Sequence, residues 1–109
     1  MTDAEHCQVV TTIDSRKAAD DLARQVVEAR VAACAQVSGP ITSTYWWEGK
    51  VDTAQEWRIT FKTSAARYAA LEQYIREHHS YDVPEILCSP VTAGNPAYLA
   101  WLDAETRQR

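Results

Sequence analysis

The segment EWRITFK, residues 56–62, has the clearest two-residue alternation in the chain. Its apolar residues share one face of an extended strand: Trp57, Ile59 and Phe61. Charged and hydroxyl residues occupy the other face, a pattern typical of a strand that buries one side only. Residues 41–47 alternate as well, and the intervening Glu48-Gly49-Lys50 suits a tight turn. The two segments therefore predict a β-hairpin.

Upstream of the hairpin, the sequence predicts a strand followed by a helix. The β-branched run in residues 8–13 suits a buried strand, and Asp14-Ser15 offers a helix N-cap. An apolar helical stripe continues through residues 29–31 and leads into 36–37. Ser38-Gly39-Pro40 is then expected to break the chain before the hairpin.

Downstream of the hairpin, the sequence predicts a helix, a strand and a last helix. Thr63-Ser64 suits the cap of a helix that ends at residues 78–80. A short strand at 86–88 lies between Pro84 and Pro90, which predicts an edge position or an early end, because proline cannot donate to a β-ladder. Residues 97–103 form the predicted last helix.

The order β-α-β-β-α-β-α predicts a single α+β domain that spans residues 1–109. Its first six elements suit a ferredoxin-like antiparallel sheet with two helices on one face. We expect an ordered core over 6–104 and a frayed polar tail over 105–109. Such a sheet leaves one face open, and the aromatic residues Tyr45, Trp46 and Trp47 cannot all fit beneath two helices. A partner subunit is therefore expected to cover them.

The bulk composition excludes several classes of protein. The 109 residues are 46% hydrophobic and 24% charged, which is typical of a soluble globular domain. A formal net charge of −4 argues against a broad electrostatic surface for nucleic acid or an anionic membrane. No apolar run is long enough to span a bilayer, and the acidic first residues, 1–5, are unlike a signal peptide. We expect a cytoplasmic protein.

Several segments resemble the CutA family of divalent-cation tolerance proteins. They run in order over nearly the whole chain: EARVAACA (28–35), TYWWEGK (44–50), FKT (61–63), HHSY (78–81), VPEI (83–86), PV (90–91), GN (94–95) and YLAWL (98–102). The resemblance implies a ferredoxin-like homotrimer, non-catalytic and cytoplasmic, with a role in tolerance of copper and other divalent metals.

The same resemblance names candidate metal ligands. It implies that His78 and His79 bind copper together with a cysteine at the end of the first strand. That position is Thr11 here, and threonine is no soft ligand for copper. Adjacent helical residues also point about 100° apart, so the two histidines can equally be helix-end residues favoured by the helix dipole. Cys34 is a weaker candidate ligand, and a buried apolar role suits it better.

A second candidate site is a cleft between subunits. Charged and aromatic residues on or beside the strands could line it: Trp47, Glu56, Lys62, Tyr81 and Glu85. If a partner covers the open sheet face, these charges lose water and should form pairs. The alternative interpretation is a network of interface salt bridges without a ligand.

Other functional classes are less well supported. The sequence has no phosphate-binding loop, HExxH motif or dinucleotide fingerprint, which argues against common enzyme classes. One alternative is a trimeric signalling module, like the PII proteins on a similar fold, that binds a small anion or nucleotide between subunits. Another is a scaffold whose last helix docks a partner protein.

Overall fold

The protein folds into one four-stranded antiparallel sheet with helices on both faces, and the computed structural model describes residues 4–107. The strand order is β2-β3-β1-β4. In chain order the elements are β1 His6–Ile13, α1 Arg16–Glu28, β2 Cys34–Trp47, β3 Lys50–Ser64, a 3₁₀ turn Ala65–Arg67, α2 Tyr68–His78, β4 Leu87–Val91 and α3 Pro96–Glu105. This is the predicted ferredoxin-like arrangement.

The main core lies between the sheet and the helices α1 and α2. Ser15 caps α1 by accepting a hydrogen bond from the Ala18 backbone N–H at 3.2 Å. The predicted alternation of β3 is confirmed, because Ile59 and Phe61 are fully buried. Apolar residues of both helices complete this core: Ala19, Leu22, Ala23, Val26, Leu71 and Ile75.

The helix α1 is shorter than predicted, and β2 is longer. The helix ends at Glu28, and Arg30 then adopts a positive φ of 60°. The chain turns back into the sheet, where Thr63 Oγ1 donates a hydrogen bond to the Val31 carbonyl at 2.9 Å. The apolar residues expected to extend the helix are therefore buried by the return of the chain, and β2 starts at Cys34.

Residues 38–40 form a bulge within β2 and do not break the strand. Ser38 pairs with Arg58 and Ile41 with Glu56, so β2 carries one more residue than β3 across this step. The close approach there requires glycine, since a Cβ on Gly39 would lie 2.8 Å from Trp57 Cδ1. Past the bulge, the odd-numbered residues of β2 face away from α1 and α2.

Strand β4 lies at the edge of the sheet, as the two flanking prolines predicted. It differs from the prediction in extent, because it starts at Leu87 and continues through Pro90 to Val91. Pro90 is tolerated inside the strand because one side of an edge strand needs no donor for the ladder.

The last helix, α3, packs on the second face of the sheet and covers one end of it. His6 Nε2 lies 2.9 Å from Asp103 Oδ1, and the Lys62 ammonium lies 5.8 Å from the centre of the Tyr98 ring. The open face is therefore partly covered within the protomer. Arg30 also forms an ion pair with Glu105 at 3.2 Å.

The first residues of the tail that was expected to fray, Glu105 and Thr106, are part of the folded domain. Glu105 is the last residue of α3, and Thr106 is buried, with its hydroxyl donating to the Leu102 carbonyl at 2.7 Å. These contacts extend the folded core to Thr106, beyond residue 104, where the ordered core was predicted to end. Of the predicted tail, residues 108–109 lie outside the described residues, as do residues 1–3 of the acidic start.

Candidate functional site

The imidazole of His79 is held by two backbone partners. Its Nε2 lies 2.8 Å from the Thr12 carbonyl, and its Nδ1 lies 3.0 Å from the Tyr81 backbone nitrogen. A carbonyl can only accept and an amide N–H can only donate, so Nε2 carries the proton and Nδ1 is the acceptor. Both ring nitrogens are therefore engaged, and a metal could reach either of them only by breaking a hydrogen bond.

The neighbouring His78 is oriented differently. It is exposed at the end of α2, its Nδ1 donates to the Tyr74 carbonyl at 2.8 Å, and its ring stacks on the Tyr74 ring with centroids 4.0 Å apart. Within residues 4–107, Nε2 of His78 has no hydrogen-bond partner and is the ring nitrogen that a ligand could reach. The two predicted ligands thus offer one free nitrogen between them, which does not fit a single ion held by both.

We call the end of α2 that carries His78 and His79 the histidine corner. Thr11 lies close to it. His79 bonds to the carbonyl of the adjacent Thr12, so the end of β1 and the histidines do come together. Thr11 itself is fully buried on the helix-facing side, and its hydroxyl lacks a hydrogen-bond partner within the described residues. A lone hydroxyl is a poor substitute for a thiolate toward copper.

Cys34 does not join the histidines. It is half-buried at the start of β2, opposite Lys62, on the sheet face turned away from α1 and α2. Thr11 lies on the other face, so the sheet separates the two positions. Across residues 4–107, no group of three or more His, Cys, Asp and Glu side chains could hold a metal ion.

Two of the predicted cleft residues do meet. The Tyr81 hydroxyl donates to Glu56 Oε2 at 2.8 Å, and Glu56 is 9% exposed. Burial raises the pKa of Tyr81 well above its usual range, and the hydrogen bond and charge of Glu56 raise it further. Tyr81 also packs against the His79 ring, with centroids 4.7 Å apart. A continuous network therefore runs from Thr12 through His79 and Tyr81 to Glu56.

Two of the other cleft candidates, Trp47 and Lys62, lie far from Glu56 within one protomer. Trp47 pairs with Lys50 at the hairpin end, six residues along β3 from Glu56, which is about 20 Å at 3.4 Å per residue. Lys62 lies as far away in the opposite direction, beneath Tyr98. Glu85 is exposed on the loop before β4. A cleft lined by all five residues requires a second subunit.

The end of the β2–β3 hairpin, residues 44–53, extends beyond the helices, and we call it the arm. Its turn is the predicted tight one, since Glu48 and Gly49 between the paired Trp47 and Lys50 have φ values of 50° and 80°. This leaves no room for a long ligand-contacting loop of the kind that the signalling alternative needs. All of its residues are exposed, and each face carries apolar side chains among polar ones: Tyr45 and Trp47 on one face, Trp46 and Val51 on the other.

Sequence reasoning identified the three aromatic residues of the arm and missed Val51, which pairs with Trp46 across the strands. It also missed that α3 occupies the open face. Val51 follows a lysine in a polar stretch, and its only sequence signal is its place opposite Trp46 in the hairpin register.

These features define a ferredoxin-like α+β protein with an arm that exposes apolar side chains and a partly buried histidine–tyrosine–glutamate network. The chain belongs to the CutA1 divalent ion tolerance protein family, whose model matches residues 7–105.

Named relatives agree with this assignment. The chain is 39% identical over 99 residues to the divalent-cation tolerance protein CutA of Escherichia coli, covering 91% of this chain and 88% of that one. It is 38% identical over 100 residues, 92% of this chain, to the chloroplastic protein CutA 1 of Oryza sativa, and spans 56% of the length of that relative. The crystal structure of CutA1 from Oryza sativa superposes with a TM-score of 0.93 at 36% identity and 97% coverage of both chains. The predicted family and fold are thus confirmed.

Within residues 4–107, no helix is both long and apolar enough to cross a membrane.

Proposed function

We propose that this protein acts in tolerance of divalent metals as a non-catalytic cytoplasmic homotrimer, with copper as the favoured metal. The observation that carries the metal role is membership of the CutA1 divalent ion tolerance family across residues 7–105. The homotrimer is supported by the exposed apolar side chains of the arm and by the part of the open sheet face that α3 does not cover.

The arm favours a cyclic assembly. Trp46 is 75% exposed and Trp47 60% exposed in the protomer, and aromatic patches of this kind are typical of subunit interfaces. The arm and the open sheet face are different surfaces. An arm laid on the sheet of the next subunit makes a head-to-tail contact, and such contacts close into a ring when the rotation fits.

The same assembly would complete the inter-subunit cleft. Glu56 and Tyr81 form its fixed part, because their hydrogen bond already places a buried carboxylate at the base of the arm. We propose that Trp47, Lys62 and Glu85 reach the cleft from neighbouring subunits. A buried carboxylate bound to one phenol retains acceptor capacity for a cationic or hydrogen-bonding group.

Direct metal binding at the histidine corner would depend on His78 alone. Its Nε2 is accessible, whereas both nitrogens of His79 hold the chain in place. One imidazole gives weak affinity unless other subunits or solvent complete the coordination. We therefore propose that His78 is the ligand and that His79 is a positioning residue.

The test is native mass spectrometry of the full chain during titration with Cu(II) and then with Zn(II). Cys88→Ser serves as the background for the copper titration, because an exposed thiol can be oxidised by Cu(II). We expect a trimer with saturable copper adducts near one per protomer, lost in His78→Ala. A trimer whose adducts do not saturate, or survive His78→Ala, would overturn binding at this corner. A monomer would overturn the assembly.

A further inference from the structure

Two cysteines lie together on the helix-facing side of β1 and β4. In the strand register Val9 is opposite Cys88, and Cys7 is opposite Pro90. Cys7 and Cys88 are therefore diagonal neighbours on the same face of the sheet. Side chains at diagonal positions of two strands can contact each other if they are long enough.

The two thiols differ in access but share their surroundings. Cys7 is 3% exposed within the core, whereas Cys88 is exposed on the edge strand. Burial raises the pKa of Cys7 to about 12, and the neighbouring Cys88 thiol contributes to that rise. Tyr68, which packs against the same core cluster, also has a raised pKa, first through burial, then through the charge of Glu72, and least through the two cysteines.

The diagonal position of this pair in the β1–β4 register favours a bridging ion over a disulfide. Diagonal neighbours have Cα atoms about 7–8 Å apart and Cβ atoms somewhat closer, whereas a disulfide needs Cβ atoms about 3.5–4.5 Å apart. An ion with metal–sulfur bonds of about 2.3 Å holds two sulfurs up to about 4.6 Å apart in a linear bridge. A sulfur–metal–sulfur bridge therefore spans the diagonal with less movement of the strands than a disulfide would require.

The number of ligands selects the kind of ion. Within residues 4–107 no third His, Cys, Asp or Glu completes a cluster with the two thiols. Zinc in a structural site takes four ligands, so a two-thiolate site is incomplete for it. Soft thiolates favour Cu(I), an ion that accepts two sulfurs in a linear arrangement.

We propose that Cys7 and Cys88 form a two-thiolate site for a soft monovalent cation of the Cu(I) class. Each thiol releases its proton to solvent as its sulfur binds the ion, and the oxidation state of the ion does not change. Cys7 lies five residues from Thr12 along β1, about 17 Å at 3.4 Å per residue, so this site is separate from the histidine corner.

The test is an anaerobic competition titration of the reduced full chain with Cu(I) and the chromogenic chelator bicinchoninate. We expect one Cu(I) per protomer to be withdrawn from the chelator. Cys88→Ser should weaken binding beyond the roughly 10–100-fold that loss of an outer-sphere partner costs. Cys7→Ala should do the same. X-ray absorption of the loaded protein should show two sulfur neighbours.

A matched control separates this site from the remaining cysteine. Cys34→Ser removes a half-buried thiol on the other sheet face and should retain full Cu(I) affinity. Unchanged affinity in Cys88→Ser, or its loss in Cys34→Ser, would overturn the proposal. So would rapid formation of a Cys7–Cys88 disulfide in the folded, metal-free protein, since the sulfurs would then be too close. Because Cys88 is exposed, its variant should fold even if Cys7→Ala does not.

Discussion

The two ends of the β2–β3 hairpin both carry alternating residues, 56–62 beside the helices and 41–47 towards the arm, but they differ completely in burial. In the half next to the helices, Ile59 and Phe61 are fully buried. In the half that forms the arm, Val51 is 60% exposed and its cross-strand partner Trp46 is 75% exposed. Alternation in the sequence therefore predicts that one face of a strand is buried, but not which part of the molecule or its partner buries it. Within the protomer α1 and α2 cover the first half, and we propose that another subunit covers the second.

The largest expected effect is at the centre of the covered half. Phe61→Ala should lower the free energy of unfolding by about 3–5 kcal/mol, because it removes a fully buried ring from a packed core. Urea unfolding at a fixed protomer concentration measures the loss. Thr42→Ala, at an exposed position of β2, is the control and should stay within about 0.5 kcal/mol. A loss below about 1 kcal/mol at Phe61 would contradict the described core.

A smaller loss is expected at the boundary between the two halves. Trp57 is half-buried and packs beside Gly39 at the bulge. Trp57→Ala should therefore cost about 2–3 kcal/mol, below the about 3–5 kcal/mol of a fully buried aromatic ring. The same urea experiment compares it with Phe61→Ala. A larger loss at Trp57 than at Phe61 would show that the boundary is covered more completely than one protomer allows.

The hydrogen bond from Tyr81 to Glu56 at the base of the arm should make the next largest contribution to stability. Tyr81→Phe leaves the buried Glu56 carboxylate without its phenol partner, which should cost about 1–3 kcal/mol of stability. Thermal unfolding of the variant beside Tyr98→Phe, which alters an exposed tyrosine, measures the difference. Equal melting temperatures for the two variants would mean that Glu56 has another partner or does not depend on Tyr81.

The two histidines give the smallest and most asymmetric effect. His79→Ala removes two hydrogen bonds that tie the loop after α2 to β1, and should cost about 1–2 kcal/mol. His78→Ala removes an exposed ring and should cost no more than about 0.5 kcal/mol. Thermal unfolding in the absence of added metal compares them. Equal losses of stability in the two variants would contradict the assignment of His79 as a positioning residue and of His78 as a ligand.

Local sequence was sufficient for the parts of the fold that depend on neighbouring residues. The alternation of residues 56–62, the Ser15 cap and the tight turn at Glu48-Gly49 each arise from contacts within a few positions. The continuation of β2 through Gly39 did not follow from the same rules, because glycine and proline usually end a strand. It depends on Trp57, which lies opposite in space and excludes a side chain at that point.

The candidate site was harder to predict because its partners are distant in the chain. Sequence could identify His78 and His79 as chemically capable ligands. It could not show that Thr12, 67 residues from His79, provides the carbonyl that engages one ring nitrogen. The pairing of Cys7 with Cys88 likewise follows from the β1–β4 register and from no spacing within the sequence.

The central claim is that the arm is apolar because another subunit covers it. Sedimentation equilibrium at micromolar concentration tests this claim directly, with the wild type beside a variant that carries Trp46→Ser and Val51→Ser. We expect a trimer for the wild type and monomers with unchanged circular dichroism for the variant. A monomeric wild type, or a variant that remains trimeric, would contradict the account.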